Sequence, residues 1–386
     1  MKGDDRMEQK NYKFQDVCEI VTDYVANGSF KSLADNVQYS DKKDYARLIR
    51  LVDFNNNYDE KNAVWVPESS YNFLKKSVLY GDEVIISNVG ANLGTVFKCP
   101  KLTYPMTLGP NSLLIRTNDL CNQNYLYYYL KSKIGYSKLM ALVSGSAMPK
   151  FNKTELRNME ISLPDRAYQD KAVEVLIKID KKIELNNKIN NNLYEEAVTL
   201  YKVKFKGIGQ GKKTIGDYMV PKRGKNLLTR DAIDGDTPVV AGGIDPSAYH
   251  NQFNTKSPVI TISASGANAG YINLWNIPVW ASDCSYIDDS ITKNVYFWYI
   301  VLKTRQNEIF DAQTGSAQPH IYPQHIAEMS ISELNIAEVE KYNSLVAPLF
   351  KMIGENQKEN KKLSQLRDIL LPKLMNGEID LDSIEI

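Results

Sequence analysis

The hydrophobic pattern is most regular between Lys171 and Phe205, where apolar residues recur three or four positions apart and long polar side chains lie between them. Neither proline nor glycine interrupts this stretch. Such spacing predicts a long helix with one narrow apolar stripe, as in the seam of a coiled coil. Because one helix cannot bury its stripe alone, the stripe needs a partner.

A second stretch of the chain supplies this partner. A shift of 170 positions places seven residues of the first helix on seven of the second, with apolar on apolar at five positions and Asn on Asn at two. The predicted coiled-coil seam consists of Leu176, Ile179, Ile183, Asn186, Asn190, Leu193 and Leu200 with Val346, Leu349, Ile353, Asn356, Asn360, Leu363 and Leu370.

An antiparallel arrangement gives these residues one consistent register. The predicted pairs are Asn186–Asn360, Asn190–Asn356, Ile183–Leu363, Leu193–Ile353, Leu176–Leu370 and Leu200–Val346. Ile179 against Arg367 is the one poorly matched layer. Buried amides at a seam usually fix register at some cost in stability. The alternative is two unrelated surface helices that belong to larger domains.

The repeat extends beyond the helices. The same shift aligns Gly145–Ser162 with Gly315–Ser332, and both segments begin with Gly-Ser-Ala-x-Pro. Further upstream, a Gly-Ala-Asn-x-Gly turn occurs at Gly90–Gly94 and again at Gly266–Gly270. The chain is therefore predicted to be a tandem duplication of a globular unit followed by a long helix. A common framework with diverged content suggests one fold used twice to recognise two different things.

This duplication predicts an α+β protein with two similar globular domains, separated by two long helices that form an antiparallel coiled coil. The predicted bounds are residues 1–165 for the first domain, 166–206 for the first helix, 207–335 for the second domain, and 336–386 for the second helix and tail. Strands are expected at Arg47–Val52, Glu83–Ser87, Thr95–Cys99, Ser112–Arg116, Thr237–Val240, Pro258–Ser263 and Tyr271–Asn273. Shorter helices are expected at Tyr125–Lys138 and Val295–Lys303, and a flexible joint at Gly207–Gly211.

Composition narrows the class of protein. The chain has 386 residues, enough for two domains, and a net charge of only +1. That charge gives no support to indiscriminate nucleic-acid binding, although DNA recognition stays open where a partner supplies part of the electrostatics. The four cysteines show no CxxC spacing, which argues against a disulfide framework or a zinc site. The polar N-terminus is not a signal peptide and no apolar run spans a bilayer, so we expect a cytoplasmic protein.

Motifs for catalysis are weak. Gly207–Thr214 reads GIGQGKKT, but its spacing departs from a phosphate loop and it follows a predicted helix instead of a strand. The three histidines lack metal-ligand spacing, and no nucleophile elbow or Asn-Pro-Pro-aromatic tetrapeptide occurs. We therefore expect no catalytic residue, no metal site and no cofactor of its own.

Several polar side chains are candidates for contact with DNA. The two Gly-Ala-Asn-x-Gly turns are either plain hairpin turns or loops that bring Asn to an adenine edge. The basic stretch from Lys212 to Arg230 is either a phosphate-contacting surface or an ordinary solvated face. The aromatic runs Tyr125–Tyr129 and Tyr296–Tyr299 favour core packing over base stacking. The predicted DNA-binding residues are Asn88, Asn92, Lys150, Asn152, Lys153, Lys222, Arg223, Lys225, Asn226, Arg230, Tyr249, His250, Asn268, Gln318, His320 and Tyr322.

The order of these elements resembles the specificity subunit of type I restriction-modification enzymes. The resemblance rests on the two repeated motifs, the two long helices and the segment Leu371–Ile379, and it covers the chain from about Tyr12 onward. It implies that each globular unit is a target recognition domain that reads one half of a bipartite double-stranded DNA sequence. The helices would set the half-site spacing and dock methyltransferase (modification) subunits, two of them in the expected complex.

The resemblance also implies where chemistry resides. S-adenosylmethionine, ATP and Mg are expected on partner subunits, including restriction subunits with a motor and a nuclease, and no membrane partner is expected. A helix of about 35 residues is about 50 Å long, more than one DNA turn of about 34–36 Å. Residues 18–82 have no full counterpart in the second unit.

The competing hypothesis is a duplicated scaffold that binds proteins or sugars and does not act on DNA.

Overall fold

The structure, a computed structural model, describes residues 8–145, 148–315 and 318–381. The chain divides into two compact units, Met1–Lys181 with Leu363–Ile386, and Lys182–Lys362. The outermost ends of the predicted first domain and C-terminal tail lie outside the described residues. So do the Ser-Ala pairs of both Gly-Ser-Ala-x-Pro segments, at 146–147 and 316–317.

The first unit contains ten strands and six short helices among its described residues, followed by a long helix. Its strands are β1 (Lys10–Lys13), β2 (Cys18–Asp23), β3 (Ala46–Ile49), β4 (Val64–Val66), β5 (Val78–Leu79), β6 (Val84–Ser87), β7 (Val96–Lys98), β8 (Met106–Leu108), β9 (Ser112–Thr117) and β10 (Glu160–Leu163). Its helices are α1 (Phe30–Asn36), α2 (Leu51–Asn55), α3 (Glu68–Phe73), α4 (Gln123–Lys131), α5 (Lys133–Ala141), α6 (Lys153–Asn158) and the start of the long α7 (Arg166–Lys204).

The second unit has fewer elements in the same order. Its strands are β11 (Lys213–Thr214), β12 (Lys222–Arg223), β13 (Thr237–Val240), β14 (Ala248–His250), β15 (Val259–Ser263), β16 (Ile272–Trp275), β17 (Trp280–Ala281), β18 (Cys284–Asp288) and β19 (Ser330–Ile331). Its helices are α8 (Val295–Thr304), α9 (Gln306–Asp311), α10 (Pro323–Ala327) and most of the long α11 (Ile336–Met375).

The two units share one topology. The antiparallel sheet β2-β9-β6-β7 of the first unit matches β12-β18-β15-β16 of the second, strand for strand. A second sheet, β4-β3-β8-β5, matches β14-β13-β17. The equivalent pairs β3–β8 and β13–β17 are parallel. The strand β5 and the helices α1 to α3 belong to the longer first unit alone. The predicted α+β class is confirmed, and the matching sheet orders are consistent with the predicted duplication.

The aromatic runs lie in the cores of the two units, as predicted. Tyr125, Tyr128 and Tyr129 of α4 are buried in one core with Val84 and Ile86 of the sheet β2-β9-β6-β7. Phe297 and Trp298 of α8 occupy the corresponding place in the second unit. These side chains hold the sheet against the helices and are not available to stack on bases.

Within the second unit, α7 and α11 run antiparallel and meet through amides. Asn186 Nδ2 donates to Asn360 Oδ1 at 2.8 Å, and Asn356 Nδ2 donates to Asn190 Oδ1 at 2.8 Å. Asn186 is 1% exposed, so its amide is a buried polar group whose hydrogen bonds are satisfied. Apolar seam residues pack into the second unit's core, which also contains the side chains of α8. They include Leu193, Leu200, Val346, Leu349 and Ile353.

Within the first unit, the remaining parts of the two helices also run antiparallel. The layer of Ile179 and Arg367 contains an ion pair, since Arg367 NH1 donates to Asp180 Oδ1 at 2.9 Å. Tyr128 Oη donates to the other oxygen of Asp180 at 2.6 Å. The guanidinium therefore has an acidic partner one residue beyond the seam, and Ile179 remains buried. The prediction of a poorly matched layer was wrong.

The end of α11 returns to the first unit's core. Tyr125 Oη donates to the carbonyl of Met375, and Tyr168 Oη donates to that of Ile379. Leu374 is 1% exposed. The segment Leu371–Ile379 is thus part of the packing of the first unit.

Two predicted elements differ from the structure. The expected helix Tyr125–Lys138 is two helices, because the chain breaks at Ser132, whose hydroxyl accepts the Gly135 N–H at 3.2 Å. A Cβ at Gly135 would lie 2.1 Å from the Tyr129 carbonyl oxygen, which only glycine avoids. The expected strand Arg47–Val52 ends at Ile49, and helix α2 begins at Leu51.

The predicted flexible joint at Gly207–Gly211 is an ordered, packed connection. Ile208 is buried in the second unit's core, and its carbonyl accepts the Ser332 N–H at 2.7 Å. A Cβ at Gly211 would lie 2.0 Å from the Ile331 carbonyl oxygen. The glycines therefore permit close backbone contact with the segment that precedes α11.

Candidate nucleic-acid interface

The sheets β2-β9-β6-β7 and β12-β18-β15-β16 carry matching groups of loops at one end, which we call the loop end. In the first unit β2 and β6 finish there while β9 and β7 start there. In the second unit β12 and β15 finish there while β18 and β16 start there. Connections between strands, not the strands themselves, therefore form this surface, which is the part of a fold that varies most readily.

The two repeated motifs meet at the loop end in both units. Gly90 N–H donates to the Pro149 carbonyl at 3.1 Å, and Gly266 N–H donates to the Pro319 carbonyl at 3.1 Å. Both glycines have positive φ, 86° and 81°, a conformation that favours glycine. One backbone hydrogen bond thus joins the Gly-Ala-Asn-x-Gly turn to the Gly-Ser-Ala-x-Pro segment twice in the chain.

The side chains on this shared backbone differ in chemistry. The shift of 170 places His320 where the first unit has Lys150, and Tyr322 where it has Asn152. The rings of His320 and Tyr322 are nearly parallel, with centroids 6.0 Å apart, and Tyr322 is 47% exposed. The second unit therefore offers aromatic rings where the first offers an ammonium group.

His325 belongs to this aromatic group and was not among the DNA-binding residues predicted from the sequence. Its ring centroid lies 5.5 Å from that of Tyr322, and its Nδ1 accepts the Tyr322 N–H at 3.4 Å. The same shift aligns His325 with Glu155, whose carboxylate accepts the Asn152 N–H. Reading the repeat three positions further would have found this residue.

Within the basic stretch of the second unit, residues 223–225 lie against the loop between β17 and β18. Lys225 N–H donates to the Ala281 carbonyl at 2.9 Å. A Cβ at Gly224 would lie 2.4 Å from the Ser282 carbonyl oxygen. Arg223 forms an ion pair with Asp283, which also accepts the Ser265 hydroxyl. Asp283 and Ser265 were not predicted from the sequence, since strand pairing and not sequence spacing brings them together.

Two predicted DNA contacts in the first unit have intramolecular roles. Asn88 Nδ2 donates to the Phe151 carbonyl at 2.9 Å. Lys153 Nζ lies 2.9 Å from Asp23, and both side chains are largely buried. Such bonds hold the loop end together, and contact of these side chains with DNA stays a prediction.

Asn152 and His250 also have intramolecular roles. Asn152 Oδ1 accepts the backbone N–H groups of Thr154 and Glu155 and so caps α6. His250 is 5% exposed, and its Nδ1 accepts the Ile233 N–H at 3.0 Å. In each residue one side-chain acceptor is bonded within its own unit.

The other predicted side chains keep some accessible surface. Tyr249 is 44% exposed but lies under the ammonium group of Lys361, 4.8 Å from its ring centroid. Arg230 is solvent-exposed and pairs only with its neighbour Asp231 among the described residues. Asn268 is half-buried, and the exposed members are Asn92, Lys150, Lys222, Lys225, Asn226 and Gln318.

Among residues 8–145, 148–315 and 318–381, no three His, Cys, Asp or Glu side chains are arranged to hold a metal ion. Burial raises the pKa of the Cys121 and Cys284 thiols to about 12, which keeps both protonated at neutral pH. No helix in these ranges combines the length and apolarity of a membrane span.

Comparison with known proteins decides the family. Residues 7–195 match the family described as type I restriction modification DNA specificity domain. The specificity subunit of the type I restriction enzyme MjaIX from Methanocaldococcus jannaschii is 27% identical over 321 residues, covering 72% of this chain and 74% of the relative. The part of the chain at residues 7–195 is a type I restriction-modification DNA specificity domain.

Other members of this family agree. The specificity subunit of the type I restriction enzyme HindI from Haemophilus influenzae is 26% identical over 371 residues, covering 71% of this chain and 80% of the relative. A crystal structure of the type I specificity subunit from M. genitalium superposes with a TM-score of 0.61 at 18% identity, covering 97% and 98% of the two chains. That superposition shows a shared fold.

A cap substitution tests the structural role of Asn152. We expect Asn152→Ala to lower the free energy of unfolding of the first unit by about 1 kcal/mol, because two N–H groups of α6 lose their acceptor. Thermal denaturation measures this loss, and Asn152→Asp, which keeps the acceptor, is the matched control. Altered base preference in a correctly folded Asn152→Ala protein would contradict the structural role.

Proposed function

We propose that this chain is the DNA-reading, non-catalytic specificity subunit of a type I restriction-modification complex. In this proposal each unit reads one half of a bipartite target. The observation that carries it is the repeated loop end, where one backbone arrangement bears different exposed side chains in the two units. A shared frame with unlike side chains suits two readers of unlike half-sites, because base edges are distinguished by side-chain chemistry.

The charge distribution supports DNA as the ligand. The whole chain has a net charge of +1, yet Lys222, Lys225 and Lys150 are exposed at or beside the loop ends. Cations near base-reading side chains contact phosphates and set the position of the protein on the duplex. Local concentration of cations, and not total charge, is what this role requires.

The long helices would fix the distance between half-sites. The helix α7 has 39 residues, a length of about 58 Å at about 1.5 Å per residue. The Asn186–Asn360 and Asn190–Asn356 pairs restrict sliding of one helix along the other, since a slip would leave the buried Asn186 amide and its half-buried neighbours without partners. A fixed register is the property that a spacer needs.

The same helices would dock the partner subunits. Their apolar side chains Leu185, Met352, Leu366 and Ile369 are between 45% and 58% exposed, so they are accessible to a partner. We expect two modification subunits to cover such positions and to supply S-adenosylmethionine chemistry, with ATP and Mg²⁺ used by restriction subunits. The sequence offers no motif for these reactions in the chain itself.

Half-site spacing tests this function directly. The complex of this subunit with its modification subunits should bind tightly only when both half-sites are present at one separation. We expect a change of two or three base pairs in the gap to lower affinity by at least about tenfold, because rigid readers cannot engage both sites at once. Electrophoretic mobility shift measures the affinity, with each half-site alone as control. Equal affinity at all spacings would contradict the spacer role.

A further inference from the structure

An ordered guanidinium group lies at the loop end of the second unit. Arg223 ends β12 opposite Ser285, and its NH2 group donates to Asp283 Oδ1. The other oxygen of that carboxylate accepts the hydroxyl of Ser265, the residue before the turn glycine Gly266. Three connections of the sheet therefore contribute to one hydrogen-bonded group.

The carboxylate orients the Arg223 guanidinium but leaves N–H donors available. The Arg223 side chain is 42% exposed, and among the described residues Asp283 is its one side-chain partner. Guanidinium presents five N–H donors in a planar fork. The recorded bond to the carboxylate uses an NH2 donor, so other N–H donors remain for a ligand.

We infer that Arg223 reads a guanine in the half-site of the second unit and that Asp283 is its positioning residue. This inference rests on the proposed function. Arg pairs with guanine O6 and N7 through two parallel hydrogen bonds in the major groove, a match that lysine cannot reproduce. The carboxylate limits the rotamers of the long side chain, and Ser265 limits those of the carboxylate.

Among its described residues, the first unit has no equivalent of this group. Strand register places Asp23, opposite Leu113, where the second unit has Arg223 opposite Ser285. Asp23 is 14% exposed and is neutralised by Lys153. Substitution of Arg223 should consequently affect one half of the target and leave the other half unchanged.

Selection from randomised duplexes tests the assignment. The full complex with modification subunits is used, with wild-type, Arg223→Ala, Arg223→Lys and Asp283→Asn chains. Wild type should select a split sequence with guanine at one position of one half-site. All three variants should lose preference at that position by about 10- to 100-fold, while every position of the other half-site is retained.

Overall affinity separates orientation from bulk charge. Arg223→Ala removes a cation and should weaken binding to all sequences, whereas Asp283→Asn removes an anion and should strengthen non-specific binding. The two substitutions change the net charge in opposite directions. If both variants lose the same base preference, the cause is the position of the Arg223 guanidinium and not the total charge. As a comparison, Arg230→Ala should weaken binding uniformly and keep every base preference.

The outcomes distinguish this inference from the proposed function. If wild type selects no split sequence, the proposed function fails. If wild type selects one and Arg223→Lys, with unchanged melting temperature, keeps all base preferences, only the guanine assignment is overturned. A change in both half-sites would overturn it as well, because Arg223 belongs to one unit.

Discussion

Replacing Asn186 by Asp should destabilise the second unit by about 3–5 kcal/mol, which corresponds to roughly 6–20 °C in melting temperature for a unit of this size. Asn186 Nδ2 donates to Glu359 Oε2 at 2.7 Å and to Asn360 Oδ1 at 2.8 Å. A carboxylate at this buried position would face two oxygen atoms, one of them charged, and would have no proton to donate.

The penalty should depend on pH in a defined direction. The hydrogen bond from Asn186 lowers the pKa of Glu359, so this carboxyl is ionised at neutral pH. The introduced carboxyl would have a raised pKa in the folded state. Its destabilising effect is therefore full above that pKa and disappears as the pH falls below the unfolded value of about 3.9.

The neighbouring Asn187 provides the matched control for this substitution. It is exposed, and its Oδ1 accepts from Asn360 Nδ2 at 2.9 Å. Asn187→Asp keeps that acceptor, so we expect a change within about 0.5 kcal/mol. Thermal denaturation followed by circular dichroism compares the two proteins. Similar melting temperatures for both variants would show that the buried amide is not important for helix pairing.

Much of the helix pairing could be predicted because its signal is local and repeated. Apolar spacing identifies the stripe, and the internal repeat identifies its partner. The residue Asp180 escaped this reasoning, since it lies one position outside the seam and yet binds Arg367. A seam described only by its inward positions leaves out the ion pairs at its flanks.

The loop ends were harder to predict, and the reason is physical. A polar residue in a turn can bond its own backbone as easily as a ligand, and the sequence does not distinguish Asn152, which caps α6, from Asn92, although both side chains are exposed. The Arg223–Asp283 pair joins residues 60 positions apart through strand register. Such contacts follow from the fold and have no spacing of their own.

Asp53→Asn should destabilise the first unit by about 3–5 kcal/mol, because it removes the charge that compensates a buried guanidinium. The Arg47 side chain is 0% exposed, with NH2 3.6 Å from Asp53 Oδ1. Its other bonds go to neutral oxygens, including the carbonyls of Tyr58 and Asp59 at 2.9 and 3.0 Å. Asp53 also accepts two hydrogen bonds from the side chain of Arg50, which would lose its bidentate partner.

A double-mutant cycle attributes this cost to the buried charge. Arg47→Met removes the cation and leaves Asp53 paired with Arg50, so Asp53→Asn should cost less in that background than in wild type. Asp59→Asn is the exposed control, since either side chain can cap the turn through the Lys61 N–H. Chemical denaturation measures the four proteins of the cycle and the Asp59→Asn control. Equal costs of Asp53→Asn in both backgrounds would mean that Arg47 gains nothing from Asp53, and that neutral carbonyls alone stabilise a fully buried guanidinium in this unit.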